Sequence, residues 1–111
     1  MNGRDVRVLF YRSGDTWIAQ CIEYDIAAFA STIEALPRAF ERAVAANACA
    51  NRDLGRQGLD GIESAPAPFR ELAERSPFRL EPRRGKFAIK RGLPVTVREV
   101  VFAERAPPKA A

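Results

Sequence analysis

The sequence predicts a single α+β domain, in which a three- to four-stranded, mainly antiparallel sheet carries one long helix on one face, in the order β-β-β-α-α-β. Strand-like alternation of apolar residues occupies the first 30 residues. A helical stripe of apolar residues at spacings of three and four follows, up to residue 50. A valine-rich strand pattern near residue 100 closes the domain, which we place at residues 1–105, with a flexible tail at 106–111.

Three strands are expected before the first helix. Val6–Arg12 alternates in hydrophobicity, and Ser13–Asp15 supplies the Gly and Asp that a hairpin turn requires. Trp17–Tyr24 is apolar on both faces, which is typical of a central strand, and Asp25–Ala30 would return beside it as the third. Trp17–Tyr24 is therefore expected to lie between two neighbouring strands.

The long helix is expected to begin near Ser31–Glu34, which has the pattern of a capping box. Pro37 allows two starts, a kinked helix from Thr32 or a short turn followed by a helix from Pro37, because proline is tolerated in the first helical turn. The helix would cover the sheet with a stripe of five apolar side chains, namely Ile33, Leu36, Phe40, Ala43 and Val44.

The second half predicts a short helix and a final strand. Ala65–Pro68 is a stiff bridge, and Phe69–Arg75 is a short helix that ends at Ser76-Pro77. Its inward side chains would be Phe69, Leu72 and Ala73. The final strand, Val95–Ala103, would direct Val95, Val97 and Val101 to one face and Thr96, Arg98, Val100 and Phe102 to the other.

The composition argues against catalysis and against a bound cofactor. The chain of 111 residues holds no histidine and two cysteines, so the usual Ser-His-Asp, Cys-His and zinc sites cannot be assembled. Cys21 and Cys49 are interpreted as small buried apolar residues, with a disulfide as the alternative. Glu23 and Asp25, two apart on a strand, could form a carboxylate pair, but charges on a solvated sheet face explain them better. We expect no enzyme and no catalytic or metal residues.

Basic residues are concentrated in the second half of the chain. The net charge is −2 up to Ala65 and +6 after it, within a total of +4. The cluster could neutralise phosphates of a nucleic acid, be a solvated basic loop, or meet an acidic protein surface. Its members are the candidate nucleic-acid-binding residues Arg79, Arg83, Arg84, Lys86, Lys90 and Arg91.

Location follows from hydropathy. The longest uninterrupted apolar stretch is Ile26–Ala30, far below the roughly 20 residues that span a bilayer, and the amino terminus is strand-like and unlike a signal segment. We therefore expect a cytoplasmic protein without membrane contact.

The run Trp17–Ala28, followed by Ser31–Leu36, resembles the HicB-like antitoxin family, in which a β-β-β-α unit carries a similar strand, turn and helix start. The resemblance covers about residues 5–50. It implies a protein that neutralises a small HicA-like ribonuclease toxin by protein–protein contact, and it supplies no catalytic residues. No DNA-binding appendage is recognisable after Leu93, so the resemblance is to an antitoxin or a solitary relative of one.

A binding function leads to candidate interface residues. A sheet covered by one helix leaves an edge and an outer face that a homodimer or higher homo-oligomer could bury. The alternative function is a nucleic-acid-associated regulator that uses the basic 79–91 segment. The candidate partner-binding residues are Trp17, Glu23, Tyr24, Asp25 and Phe29.

Overall fold

The computed structural model describes residues 4–80 and 93–107. Within them lie a five-stranded sheet and two α-helices, which confirms the α+β class. The elements are β1 (Arg4–Ser13), β2 (Thr16–Cys21), β3 (Ala27–Ala30), α1 (Leu36–Asp53), α2 (Ala67–Arg75), β4 (Phe78–Leu80) and β5 (Val95–Phe102).

The strand order is β3-β2-β1-β5-β4, and the sheet is mixed. The β1–β2, β2–β3 and β4–β5 pairs are antiparallel, whereas β1 and β5 run parallel. The sequence did not predict β4, because a strand of three residues after Pro77 is too short to show alternation. The sheet thus has more strands than the expected three or four.

The opening hairpin and the central position of β2 are confirmed. Ser13 pairs with Thr16, and Gly14 between them has a φ of 61°, a conformation that glycine adopts without strain. β2 lies between β1 and β3, which agrees with its apolar character on both faces. The strand ends at Cys21, however, so Glu23 and Tyr24 belong to the connection to β3.

Helix α1 covers one face of the sheet with the predicted stripe. Leu36, Phe40 and Val44 are fully buried in the main core, together with Val8 and Phe10 of β1. The chain enters α1 through a short 3₁₀ helix, Ile33–Ala35, and Pro37 lies in the first turn of α1.

The second of the two predicted helix starts is therefore the better one. The predicted capping box does not start α1: its N-cap residue is Ala35, which makes no side-chain capping hydrogen bond. Proline in the first turn loses no helical hydrogen bond, which explains why the α-helix can begin beside Pro37.

Helix α2 packs on the opposite face of the sheet. Ala73 is fully buried against Leu9 and Val101, and the ring of Phe69 lies 6.0 Å from that of Tyr11. The predicted inward side of this helix is confirmed. The expectation that only one face of the sheet is covered is wrong, because α2 covers the second face. The bridge before α2 is tied to the end of β2, where the Ala65 N–H donates to the Ile22 carbonyl at 2.9 Å. This anchor directs α2 onto the other face.

A β-bulge changes the faces of β5. Val97 lies opposite Val6, but Glu99 lies opposite Arg7, so Arg98 is an extra residue in this strand. One inserted residue reverses the alternation that follows it. Val95 and Val100 therefore belong to the core under α1, and Val101 to the core under α2, which corrects the predicted grouping of the valines.

Candidate functional site

The five predicted partner-binding residues do not form one surface. Ile18 pairs with Phe29 across β2 and β3, so Trp17 and Phe29 point to opposite faces of the sheet. Glu23, Tyr24 and Asp25 lie in the bend that joins the far end of β2 to β3. The five residues therefore lie in different surroundings.

Glu23 is bound to Arg7 of β1 through both of its carboxylate oxygens. Oε1 accepts the backbone N–H of Arg7 at 2.7 Å, and Oε2 accepts its Nε–H at 3.1 Å. The side chain of Glu23 is 17% exposed, and Nη1 of the same arginine lies 4.0 Å from the Glu74 carboxylate. These contacts join the bend to β1 and to α2, so the geometry gives Glu23 a structural role.

Asp25 and Tyr24 also have internal partners. Gln20, a buried residue of β2, donates its Nε2–H to Oδ1 of Asp25 at 3.0 Å. The guanidinium of Arg4 lies 5.5 Å from the centre of the Tyr24 ring, within cation–π distance. The prediction that Glu23 and Asp25 share the face of a strand is wrong, because the backbone turns tightly here, with the Ile26 N–H donating to the Tyr24 carbonyl at 2.8 Å.

Trp17 belongs to the margin of the main core. Its side chain is half-buried beside the core under α1, and the guanidinium of Arg12 lies 5.9 Å from its ring. A tryptophan in this position contributes apolar area to the fold, while the arginine covers part of its exposed face.

Among the three aromatic candidates, Phe29 is the exposed one, at 63%, whereas Trp17 and Tyr24 are half-buried. It lies in β3, which the strand order places at an edge of the sheet described here. The four residues of β3 are Ala27, Ala28, Phe29 and Ala30, without charge or proline. An edge strand with these properties lacks the charged side chains and the proline that often prevent pairing with another chain.

The hydrogen bonds show which residues of β3 point outward. The Ile22 N–H donates to the Arg7 carbonyl on β1, and the Cys21 N–H donates to the Ile26 carbonyl on the β3 side. Bonds of successive β2 residues therefore alternate between the two neighbours. With this alternation and the register of the pair, Ala28 and Ala30 bond to β2, and Ala27 and Phe29 direct their N–H and C=O groups away from the sheet.

Sequence reasoning found Phe29 but missed the contribution of Ala27. The signal that could have found it is the alternation itself, since residues two apart on an edge strand direct their backbone groups the same way. Beside Phe29, on the same face, lies the half-buried Ile18. The candidate site, which we call the β3 edge, consists of Ala27 and Phe29 with Ile18 next to them.

Of the predicted nucleic-acid-binding residues, the structure describes Arg79. Its Nη1 donates to Oε1 of Glu99 at 2.6 Å, and its Nη2 donates to the carbonyls of Ala73 and Glu74 at 2.7 and 2.8 Å. These contacts hold its guanidinium against β5 and the end of α2. The other five lie outside the described residues and stay predictions, namely Arg83, Arg84, Lys86, Lys90 and Arg91.

The two cysteines are free thiols in different environments. Cys21 is buried, as predicted, and desolvation by burial raises the pKa of its thiol to about 11. Cys49 is exposed, which corrects the prediction of burial, and its Sγ accepts the Nη2–H of Arg52 at 3.5 Å. Cys49 lies on the outward side of α1, whose inward stripe is supplied by larger side chains.

Metal binding and membrane crossing are two functions that the described residues bear on directly. These residues contain no group of three or more histidine, cysteine, aspartate or glutamate side chains that could hold a metal ion. No helix in the described part of the chain is both long and apolar enough to cross a membrane.

No family model, curated protein or solved structure matches the chain. The resemblance of residues 5–50 to HicB-like antitoxins therefore stays a prediction.

Proposed function

We propose that this chain is a non-enzymatic binding protein of the antitoxin type, which neutralises a small HicA-like ribonuclease toxin by protein–protein contact at the β3 edge. The observation that carries the proposal is the exposure of Phe29 on an uncharged edge strand. The cytoplasm, where messenger RNA meets such a ribonuclease, is the proposed place of action.

The β3 edge offers both main-chain and side-chain recognition. The outward N–H and C=O groups of Ala27 and Phe29 can bond to an extended segment of a partner, which adds a strand to the sheet. The Phe29 ring supplies the apolar anchor, since a buried aromatic side chain commonly carries much of the binding energy of an interface. The partner would therefore present an extended segment with an apolar pocket beside it.

The charges beside β3 are consistent with a basic partner. Asp25 precedes the strand, Glu34 follows it, and both residues are exposed. A ribonuclease needs Lys and Arg side chains at its surface in order to contact RNA phosphates. Opposite charges at the margin of an interface mainly accelerate association and select the partner.

Co-expression of this chain with the small protein encoded beside the gene for this chain tests the proposal. We expect the tagged chain to capture that protein and to relieve the growth arrest that it causes. Phe29→Asp should abolish both effects, because a carboxylate would replace the apolar anchor. Phe78→Asp is the matched control, since Phe78 is 67% exposed on the opposite edge strand β4, and it should leave both effects unchanged. Absence of capture and of relief by the unmodified chain would contradict the proposal.

The alternative of a nucleic-acid-associated regulator is not favoured by Arg79, whose guanidinium is bonded to Glu99 and to two carbonyls. It can be tested separately by measuring DNA and RNA binding over a salt series. If the basic segment neutralises phosphates, affinity should fall steeply with salt and should weaken in the Arg83→Ala/Arg84→Ala variant.

A further inference from the structure

We infer that the β3 edge pairs with the β3 edge of a second copy of this chain, antiparallel and about a two-fold axis that passes beside Ala28, whenever no other partner occupies it. The inference rests on the proposed function in one respect, namely that β3 is the binding edge. It adds the identity of one partner and the register of the contact.

The register follows from the outward backbone groups. Ala27 and Phe29 each present one N–H and one C=O away from β2. If Ala27 lies opposite Phe29 of the second copy, the two-fold axis generates the same pair again, and four backbone hydrogen bonds form. The two-fold registers shifted by two residues in either direction would pair Ala27 with Ser31 or Phe29 with Asp25. Ser31 and Asp25 lie outside β3, so those registers fit the strand less well.

The side chains of β3 fit this register. On one face, the large Phe29 lies opposite the small Ala27 of the second copy, and the two Phe29 rings become diagonal neighbours, a spacing that aromatic side chains can bridge. On the other face, Ala28 lies opposite Ala28. Beyond the strand, Asp25 of each copy lies opposite Ser31, so like charges do not meet directly.

Self-pairing of β3 also closes the assembly. An isologous contact about a two-fold axis is complete with two copies, whereas pairing of β3 with β4 of the next copy would be head-to-tail and would leave open ends. β4 also follows Pro77 and carries Arg79. Proline and a positive charge at an edge discourage pairing with another strand.

Self-pairing of β3 would compete with binding of the toxin. A second copy and a toxin would use the same outward groups of Ala27 and Phe29, so the two contacts exclude each other. Binding of the toxin would then convert the dimer of this chain into a complex in which each β3 edge has a different occupant.

Disulfide trapping tests the register. In a Cys49→Ser background, which removes the exposed thiol, the Ala27→Cys and Phe29→Cys variants are mixed and oxidised. Directly opposed residues of a hydrogen-bonded antiparallel pair are within disulfide distance, whereas diagonal ones are too far apart. We expect the mixed disulfide to exceed either homodimer by about tenfold, because only the mixed pair is directly opposed.

Two controls decide the outcome. Phe78→Cys, mixed with Ala27→Cys, should give little mixed disulfide, because Phe78 has similar exposure on the other edge. In sedimentation velocity, the unmodified chain should dimerise with concentration, Phe29→Asp should shift to monomer, and Phe78→Asp should not. Equal trapping by Phe29→Cys and Phe78→Cys, or predominance of the Phe29→Cys homodimer, would overturn the inference.

The two proposals can fail independently. A chain that stays monomeric at every concentration but captures the toxin overturns the self-pairing and leaves the proposed function intact. A chain that dimerises with the expected trapping but captures no neighbouring protein supports the self-pairing and contradicts the antitoxin function.

Discussion

The two edges of the sheet expose a phenylalanine to nearly the same extent, yet their surroundings differ. Phe29 lies in β3, an uncharged strand with outward backbone groups. Phe78 lies in β4, after Pro77 and next to Arg79. An exposed aromatic ring therefore does not by itself make a binding site. The backbone groups and charges beside the ring decide whether another strand can approach.

The edges are also held to the domain by different forces. β3 is held by the burial of Ala28 and Ile26 in the core under α1. β4 is held by polar side chains, since Arg79 binds Glu99 of β5 and the last carbonyls of α2, and the Ser76 hydroxyl donates to the Phe102 carbonyl. Apolar burial therefore holds β3, whereas at β4 polar side chains add to the packing of Leu80 against the core.

The largest expected effect comes from removing a ring that the core requires. Phe10→Ala should lower the free energy of unfolding by about 3–5 kcal/mol, because Phe10 is fully buried and contacts Phe102 edge to face. Phe29→Ala is the matched change at the β3 edge and should cost less than about 1 kcal/mol, since that ring is mostly exposed. Urea unfolding followed by Trp17 fluorescence measures both, and equal losses would contradict the assignment of Phe29 to the surface.

A pH-dependent effect tests whether the Cys21 side chain, at the end of β2, stays buried in the core under α1. Burial raises the pKa of this thiol from 9.0 to about 11, so the folded chain retains a proton that the unfolded chain releases. The resulting stability is complete below pH 9 and is lost as the pH rises to about 11. Relative to Cys21→Ala, the unmodified chain should lose about 2 kcal/mol between these values.

The Cys21→Ala variant provides the reference for that measurement, because it has no thiol at this position. An unmodified chain with the same pH dependence as Cys21→Ala would show that the thiol is solvated, and therefore that the end of β2 is open.

A smaller effect is expected at the other edge. Arg79→Ala should cost about 1–2 kcal/mol after allowance for solvent screening, because it removes the ion pair to Glu99 and two hydrogen bonds to α2. Hydrogen exchange should accelerate in β4 and at the end of α2, and it should stay unchanged in β3. Glu99→Gln should have part of this effect, since it weakens one of the three contacts. Acceleration in β3 would mean that the two edges are coupled.

The smallest perturbation uses the unmodified chain. At low concentration, we expect the amides of Ala28 and Ala30 to exchange about tenfold more slowly than those of Ala27 and Phe29, because the former are bonded to β2. At high concentration, self-pairing should slow the exchange of Ala27 and Phe29. NMR-detected exchange resolves the four amides, and uniform rates along β3 would contradict the assigned hydrogen-bond pattern.

Local patterns in the sequence were sufficient for several elements. The Gly14 turn, the α1 stripe of Leu36, Phe40 and Val44, and the inward side of α2 were all predicted correctly. Each of these depends on neighbours within a few positions along the chain. A turn needs a residue that accepts a positive φ, and an amphipathic helix needs apolar side chains at helical spacing.

The candidate site was predicted only in part, for a physical reason. Sequence reasoning named Phe29, but it grouped it with Trp17, Glu23, Tyr24 and Asp25, which have internal contacts. Two of those contacts, Arg7–Glu23 and Arg4–Tyr24, join residues distant in the chain. The other two cross a turn between residues five apart, so no periodic pattern reveals them. Whether a charged or aromatic side chain is available to a partner depends on which distant residue reaches it first.

The sequence by itself determined the α+β class, the opening hairpin and the helical faces, because these follow from the periodicity and the turn residues of short segments. Tertiary structure decided the parallel pairing of β1 with β5, the bulge at Arg98, the placement of α2 on the second face and the position of β3 at an edge. Each of these depends on which strands become neighbours, and the balance of packing over the whole sheet decides that. Phe29 is exposed and its backbone groups point outward because β3 has a neighbouring strand on one side, β2, in the described sheet.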